Sequence, residues 1–444
     1  MYLHGTSRVN EKGHLEIAGC DAVELAQKYG TPLYVYDEQL IRSKIRSFID
    51  AFKRNDIPFQ VAYASKALST VAMCQIASEE GLCLDVVSGG ELYTALKAGF
   101  PSSRIHFHGN NKTVDEITMA LDAQIGCFVV DNLYELHLLN QLATEKGKEV
   151  SILLRLSPGV EAHTHEYIQT GQQDSKFGFD IISGQAIDAV GKTMELEYLK
   201  LLGFHCHIGS QIFETEGFTL ASKRFLQIVE EVKNKYEFEI KVINLGGGFG
   251  IRYVDGDNPL PLESYVDAIV QTVKMECIGK NLKIPEIWVE PGRSIVGDAG
   301  TTLYTIGSSK NIPGIRKYVA VDGGMSDNVR PALYQARYDA FIANRVNDEP
   351  NELVSIAGKC CESGDMLIYD IELPEPKTGE ILAVSCTGAY GYSMASNYNR
   401  IVRPGVVFVK DGKSAVVVKR ETYDQIVQND NEINYEEFTC PLSG

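Results

Sequence analysis

FQVAYASKALSTVAMCQIASEEGLCLDVVSGGELYTALKAGF, residues 59–100, contains the same unit twice: a short apolar run, then a stretch whose apolar residues recur at helical spacing. FQVAYA (59–64) gives way to STVAMCQIASEEG, and LCLDVV (82–87) to GGELYTALKAGF. Nearly continuous apolar strands are typical of strands buried on both faces, and strands alternating with helices build parallel sheets. Working outward, the unit recurs at RIHFHG (104–109), IGCFVV (125–130), SILLRL (151–156), LLGFHCH (201–207), VINLG (242–246) and EIWVE (286–290), eight runs in all. Eight favours closure into a (β/α)8 TIM-type barrel over an open doubly wound sheet. A helical segment, DEQLIRSKIRSFIDAFKR (37–54), precedes the first run.

Beyond about residue 300 the texture changes. TTLYTIGSSK, YVAVDG, ELVSIAG, DMLIYD, EILAVSC, GVVFVKDG and SAVVVKRE are separated by Gly, Asp and Pro turns with hardly a helix between them. These runs predict a second, mostly antiparallel β domain of sandwich or barrel-like form. The division expected is a barrel over 35–300 and a β domain from 301–444, joined by the N-terminal segment 1–34.

The 444 residues are 44% hydrophobic and 23% charged, an ordinary globular composition. A formal charge of -17 sets up a field that repels phosphate backbones, and no basic run interleaved with aromatics offsets it, so nucleic acid is not an expected partner. The start, MYLHGTSRVNEKGHLEIAGC, has no apolar core after a basic stretch, and 18 uninterrupted apolar residues occur nowhere. The expectation is a cytoplasmic protein without a membrane partner. Ten cysteines without a CxxC pair, mostly inside apolar runs, are expected to be reduced and buried. The pairs H-F-H (106–108), H-T-H (163–165) and H-C-H (205–207) invite a zinc reading, but no thiolate pair or HExxH accompanies them, and no metal is expected.

In a parallel barrel, chemistry gathers at the C-terminal ends of the strands. The first run ends in Ala64-Ser65-Lys66. A lysine there is either a snorkelling surface residue or an amine whose pKa burial and neighbouring positive charge lower, making it a Schiff-base nucleophile. The sixth run ends HCHIGSQ, which puts His207 and Ser210 on the rim as site residues or as satisfied core groups. The seventh ends NLGGGFG, where Gly247 and Gly248 form either a tight turn or a cradle whose N–H groups face a phosphate. G-x-G-x-x-G fails as a dinucleotide fingerprint because Ile251 stands where its last glycine belongs. The eighth ends in Glu290, Pro291, Gly292 and Arg293, a carboxylate and a guanidinium at a rigid turn. An amine, a phosphate cradle, a carboxylate and an imidazole on one rim are the equipment for pyridoxal 5'-phosphate.

YASKA (63–67), DVVSGGEL (85–92), HGNNK (108–112), DSKFGF (174–179), HCHIGSQ (205–211), NLGGGFG (244–250), EPGR (290–293), CCESGD (360–365) and TGAYGYSMASNYN (387–399) together resemble the diaminopimelate decarboxylases over essentially the whole chain. That family is similar to alanine racemase and the eukaryotic ornithine decarboxylases in pairing a (β/α)8 barrel with a β domain. The resemblance implies a pyridoxal 5'-phosphate-dependent carboxy-lyase that converts meso-2,6-diaminopimelate to L-lysine and carbon dioxide in lysine biosynthesis. It implies that Lys66 carries the cofactor as a Schiff base and that His207 stacks on the ring. Ser210, Gly247, Gly248, Gly292, Arg293 and Tyr390 surround the phosphate, and Glu290 meets the pyridine nitrogen. Arg293, Arg330, Tyr334, Glu362 and Tyr390 read the substrate, and Cys361 returns the proton. It also implies a homodimer in which Cys361 and Glu362 reach the partner's site. A decarboxylase of another basic amino acid and an amino-acid racemase are the competing readings.

In GKCCESGD (358–365), adjacent cysteines would close a strained ring, which argues against a disulfide. Strand alternation predicts that Cys360 and Cys361 point to opposite sides; with the role the resemblance implies for Cys361, Cys360 is expected to be the packed core residue. The Gly-, Gln- and Thr-containing stretch 163–178 suits a lid over the site.

Overall fold

The computed structural model describes residues 2–160 and 175–435. All eight expected runs are strands: β1 (Phe59–Ala64), β2 (Cys83–Val86), β3 (Ile105–Phe107), β4 (Cys127–Val130), β5 (Val150–Ser157), β6 (Leu199–His205), β7 (Val242–Asn244) and β8 (Glu286–Val289). Each pairs in parallel with the next, and β8 returns to β1 through Ile287↔Phe59, Trp288↔Gln60 and Val289↔Val61. The sheet is therefore a closed barrel. A two-residue strand, Phe179–Asp180, pairs in parallel with the C-terminal end of β5, at Leu156 and Ser157.

The helices between the strands follow their sequence patterns. Glu38–Arg54 buries Ile41, Ile45, Phe48 and Phe52, one face at intervals of three and four residues, against the barrel. Thr70, Ser88, Thr113 and Asn132 each cap a following helix by accepting a backbone N–H. These caps sit a few residues beyond a strand end, so each turn toward the rim is short and fixed.

The seven expected runs beyond residue 300 are also strands, but they do not form a sheet by themselves. Leu33–Asp37 lies in its middle, antiparallel to Gly300–Ile312 and parallel to Gly405–Lys410. Arg316–Val321 and Glu352–Ala357 are parallel as well, so the sheet is more mixed than the alternation of runs suggests. Gly300–Ile312 pairs with three neighbours along its 13 residues: Leu33–Asp37, Ile381–Val384 and Arg316–Val321. Residues 8–21 form a small three-stranded sheet whose Leu15 and Ile17 share a core with Val35, Leu303 and Val407.

Asp37 sits where the two parts meet. It ends the Leu33–Asp37 strand of the β sheet and begins the helix on the barrel, whose Leu40 N–H donates to Asp37 Oδ1 at 2.9 Å. Its other oxygen accepts from the Thr6 amide and hydroxyl at 3.1 and 2.7 Å, and its own N–H donates to the Ala299 carbonyl. Asp37→Ala is expected to cost on the order of 1–2 kcal/mol from the lost cap alone, and more because Thr6 loses its acceptor. Urea unfolding followed by circular dichroism measures this, whereas an unchanged midpoint would show that the cap carries no load.

Candidate active site

The strand ends converge on a cavity of about 460 Å3 at the C-terminal mouth of the barrel. Lys66, His207, Ser210, Gly247, Gly248, Glu290, Gly292, Arg293, Arg330, Tyr334 and Tyr390 all line it. Cys361 and Glu362 do not; they lie on an exposed loop of the β domain.

Lys66 follows β1 in a single 3-10 turn, Ser65–Ala67. The Lys66 side chain is exposed to the open cavity, while Ser65 and Ala67 on either side are buried. The turn is held from the other domain, since the Tyr390 N–H and the Ser393 hydroxyl both donate to the Ala67 carbonyl, at 2.9 and 3.0 Å. Tyr390 itself sits at φ +60, a conformation that L-residues adopt only when the surrounding structure enforces it.

The glycines after β7 are there for clearance. A Cβ on Gly247 would stand 2.2 Å from the Glu290 carbonyl, and one on Gly248, at φ +110, would stand 2.6 Å from the Gly209 carbonyl. Only glycine permits the β6, β7 and β8 loops to lie this close. The Gly247 N–H donates to His207 Nδ1 at 3.3 Å, which assigns the remaining ring proton to Nε2. Burial first, then the Lys66 and Arg155 cations, hold His207 well below the usual histidine range. The imidazole is therefore neutral.

Glu290 is 5% exposed and ionised. Burial pushes its carboxyl up, but His108 and His205 outweigh that and hold it well below the usual range. His205 Nε2 lies 3.1 Å from Oε2, His108 Nε2 lies 3.1 Å from Oε1, and the Asn244 amide donates to Oε1 at 2.6 Å. The H-F-H and H-C-H pairs thus supply His108 and His205 to one carboxylate from opposite sides of the barrel. None of the three partners of Glu290 was among the expected site residues. The signal was alternation: a histidine two places from another on a strand end shares its face.

Arg155 and Asp85 were also missed. Arg155 is a lone charge in the apolar run SILLRL, half-buried on the cavity wall and 3.8 Å from Asp131. Asp85, the third residue of β2, is pushed up to about 6, by burial first and by Glu290, with His108 opposing. A charged residue inside an otherwise apolar strand is the sequence signal for both.

The two arginines enter from different domains and are clamped alike. Arg293 donates from Nη2 to the Ser210 hydroxyl at 2.9 Å and from Nη1 to the Tyr253 hydroxyl, while its buried Nε has no partner. Arg330 donates from Nε to the Tyr338 hydroxyl at 3.0 Å. Both guanidinium groups face the Tyr390 ring, at 4.9 and 5.5 Å from its centroid. Tyr253 and Tyr338 pack edge to face behind them, so the forks are set before anything binds.

Cys360 is buried and Cys361 exposed, as alternation predicted, but the cause differs. The strand Glu352–Ala357 has ended, and 358–365 is a turn whose Cys360 N–H donates to Asp365 Oδ2 at 2.7 Å. The Cys361 N–H donates to Asn399 Oδ1 at 2.7 Å. Asp365 also accepts the Met325 N–H at 2.6 Å, so one carboxylate pins both this loop and the loop leading to Arg330. The nine described cysteines are all free thiols. The stretch expected to form a lid falls largely outside the described residues, as do His163 and His165.

A closed barrel with a lysine, a glycine cradle and a buried carboxylate on its rim, completed by arginines from two domains, defines a pyridoxal-dependent decarboxylase. The family model for the pyridoxal-binding domain of these enzymes matches residues 38–297. The chain is 62% identical over 430 residues to the diaminopimelate decarboxylase of Bacillus subtilis, covering 97% of this chain and 98% of that one. It is 50% identical to that of Staphylococcus aureus over 426 residues, covering 96% and 99%. The crystal structure of a diaminopimelate decarboxylase from M. jannaschii in co-complex with L-lysine superimposes with a TM-score of 0.91 at 39% identity, covering 96% of this chain and 98% of that one. The chain belongs to the diaminopimelate decarboxylase family. Among the described residues no helix is long and apolar enough to cross a membrane.

The buried histidines give the site a pH signature. Burial first holds His205 down to about 4 and His106 down to about 3, against 6.5 when unfolded. Between those values the unfolded chain binds more protons, so the stability they contribute is intact above about 6.5 and falls as the pH drops toward 4. His108, raised by Asp85 and Glu290 against its burial, acts in the opposite sense: its contribution is present below 6.5 and lost on raising the pH. With three depressed histidines at the site, His106, His205 and His207, against one raised, the thermal midpoint of the apoprotein should decline from pH 7 to 5. His205→Gln should flatten that slope; an unchanged slope would remove His205 as a cause.

Proposed function

We propose that this chain releases carbon dioxide from the D-configured centre of meso-2,6-diaminopimelate and yields L-lysine, using pyridoxal 5'-phosphate held by Lys66. The observation that carries the reading is the pair of preset arginines opposite an exposed lysine amine in one cavity. The residues fit the cofactor. Gly247 and Gly248 leave room that any Cβ would fill, Arg293 keeps a buried Nε without a partner, and Glu290 lies ionised across the pocket.

When bound, the cofactor supplies an electron sink for the pair left behind as carbon dioxide departs. Lys66, whose amine opens on the cavity, would hold it. Glu290 keeps a negative charge where the ring nitrogen sits, favouring its protonated form. His207, neutral and fixed by the Gly247 N–H, packs against the ring face. Ser210, Gly247, Gly248, Gly292 and Arg293 receive the phosphate, with Tyr390 alongside.

At the other end Arg330 meets the distal carboxylate, with Tyr334 and Tyr390 as further donors, and Arg293 adds positive charge from the barrel side. Ornithine and lysine lack that carboxylate and would leave a buried guanidinium unpaired, which disfavours the reading as a decarboxylase of another basic amino acid. The proton comes from Cys361 Sγ of a second copy of the chain, and Glu362 of that copy meets the distal ammonium. Their exposure in a single chain, away from its own cavity, supports a homodimer with two shared sites.

Carbon dioxide release from meso-diaminopimelate, L-lysine, ornithine and arginine tests the substrate: turnover of the first alone is expected. Arg330→Ala should raise KM for diaminopimelate by roughly ten- to a hundredfold, the value of a charge-assisted hydrogen bond, while the visible cofactor band stays in place. Equal turnover of ornithine, or an unchanged KM, overturns the assignment. Sharing is tested by mixing inactive Lys66→Ala and Cys361→Ala subunits, which should regain one intact site per mixed dimer. Activity no greater than either parent would place Cys361 outside the reaction.

A further inference from the structure

Glu290 is not the only buried carboxylate at this site. Asp85, 4% exposed, lies on β2 with its Oδ1 3.6 Å from His108 Nε2, and that same nitrogen lies 3.1 Å from Glu290 Oε1. One imidazole therefore stands between two carboxylates. Asp85 Oδ1 has no hydrogen-bond donor and is buried, so His108 is its nearest compensating charge within the cluster. His205 and Asn244 complete Glu290 from the other side. The remaining charged groups facing the cluster are Lys66, Arg155 and Glu91, with His106 and His207 as neutral rings.

We propose that Asp85 and His108 act as a fixed ion pair that positions Glu290 and sets its electrostatic environment, so that the cluster of Asp85, His108, His205 and Glu290 presents one net negative charge to a bound pyridinium ring. The count rests on geometry. Two carboxylates 3.1 and 3.6 Å from one imidazole cannot both stay ionised away from water unless that imidazole is a cation. His205 is the neutral member, since burial holds it down to about 4, whereas Asp85 and Glu290 raise His108. With His108 charged, two negatives and one positive leave a single negative charge, matching the single positive charge of a protonated ring nitrogen. Asp85 and His108 are positioning residues, acting on the ring only through Glu290.

This inference rests on the proposed cofactor, and the test separates the two. The chain contains one tryptophan, Trp288 on β8, whose ring stacks on His106 at 4.4 Å between centroids, beneath the cluster. Quenching of its fluorescence reports the binding of pyridoxal 5'-phosphate to the full-length apoenzyme. Asp85→Asn is nearly isosteric and should weaken binding by roughly tenfold, because His108 then neutralises Glu290 alone. Adding His108→Gln to that variant should restore binding to near wild type, since Glu290 is again the one charge. A structural role predicts the opposite, with the second substitution deepening the loss.

The second measurement does not depend on the double variant folding. With ring-15N-labelled cofactor in the holoenzyme, the nitrogen should resonate as protonated in the wild type and move toward the unprotonated position in Asp85→Asn. A double variant no better than Asp85→Asn, or a nitrogen resonance that Asp85→Asn leaves in place, overturns the charge assignment. Failure of the wild type to bind the cofactor overturns the reading of the site itself.

Discussion

Pairing between β8 and β1 closes the barrel, and the site depends on that closure. In an open sheet the first and last strands would stand at opposite edges, with Lys66 and Glu290 separated by the width of six strands. Closure makes them neighbours: the Ala64 N–H donates to the Pro291 carbonyl, and the Glu290 N–H to the Gly246 carbonyl. Closure also buries the side chains at its centre, where His106 and His205 are held neutral by burial and Glu290 stays ionised through its histidine and asparagine partners. The electrostatics of the pocket are thus a product of topology as much as of composition.

Much of this architecture is legible in the sequence because a barrel strand buried on both faces leaves a continuous apolar run. The eight runs identified by pattern are the eight strands, and each boundary differs by at most two residues. The β domain was legible as a set of strands but not as a sheet. Leu33–Asp37 lies more than 260 residues from Gly300–Ile312, its antiparallel neighbour, and nothing local in LYVYD records that pairing. Parallel neighbours such as Arg316–Val321 and Glu352–Ala357 are equally invisible, since alternation says which face a residue takes and nothing of strand direction.

Within the site, the residues named from motifs at strand ends all reach the cavity except Cys361 and Glu362, whose place in a site requires a second chain. The residues not named are those that touch no ligand in the proposed chemistry. Asp85, Asn244, Tyr253 and Tyr338 act on other side chains. Their importance lies in distances set by packing, which a linear pattern does not carry. Arg155 and the histidine pairs are intermediate cases, since a charge in an apolar strand and an i, i+2 repetition both mark a buried polar group without saying what it meets. Lys66 is legible as a residue at a strand end, but its opening onto the cavity between buried Ser65 and Ala67 is set by the 3-10 turn it sits in, which no local pattern records.

Asp365 bears on how such a protein can change over generations. Its two oxygens tie the turn that carries Cys361 and Glu362 to the segment that leads into Arg330. If the sites are shared as proposed, the first loop serves a neighbouring molecule and the second serves its own, so a single side chain is common to two separate reaction centres. A drift that moved one loop to suit a new substrate would displace the other in the same step. Variation in specificity within this architecture is therefore steered toward the tips of those loops and the tyrosines behind the arginines, and away from the joint itself.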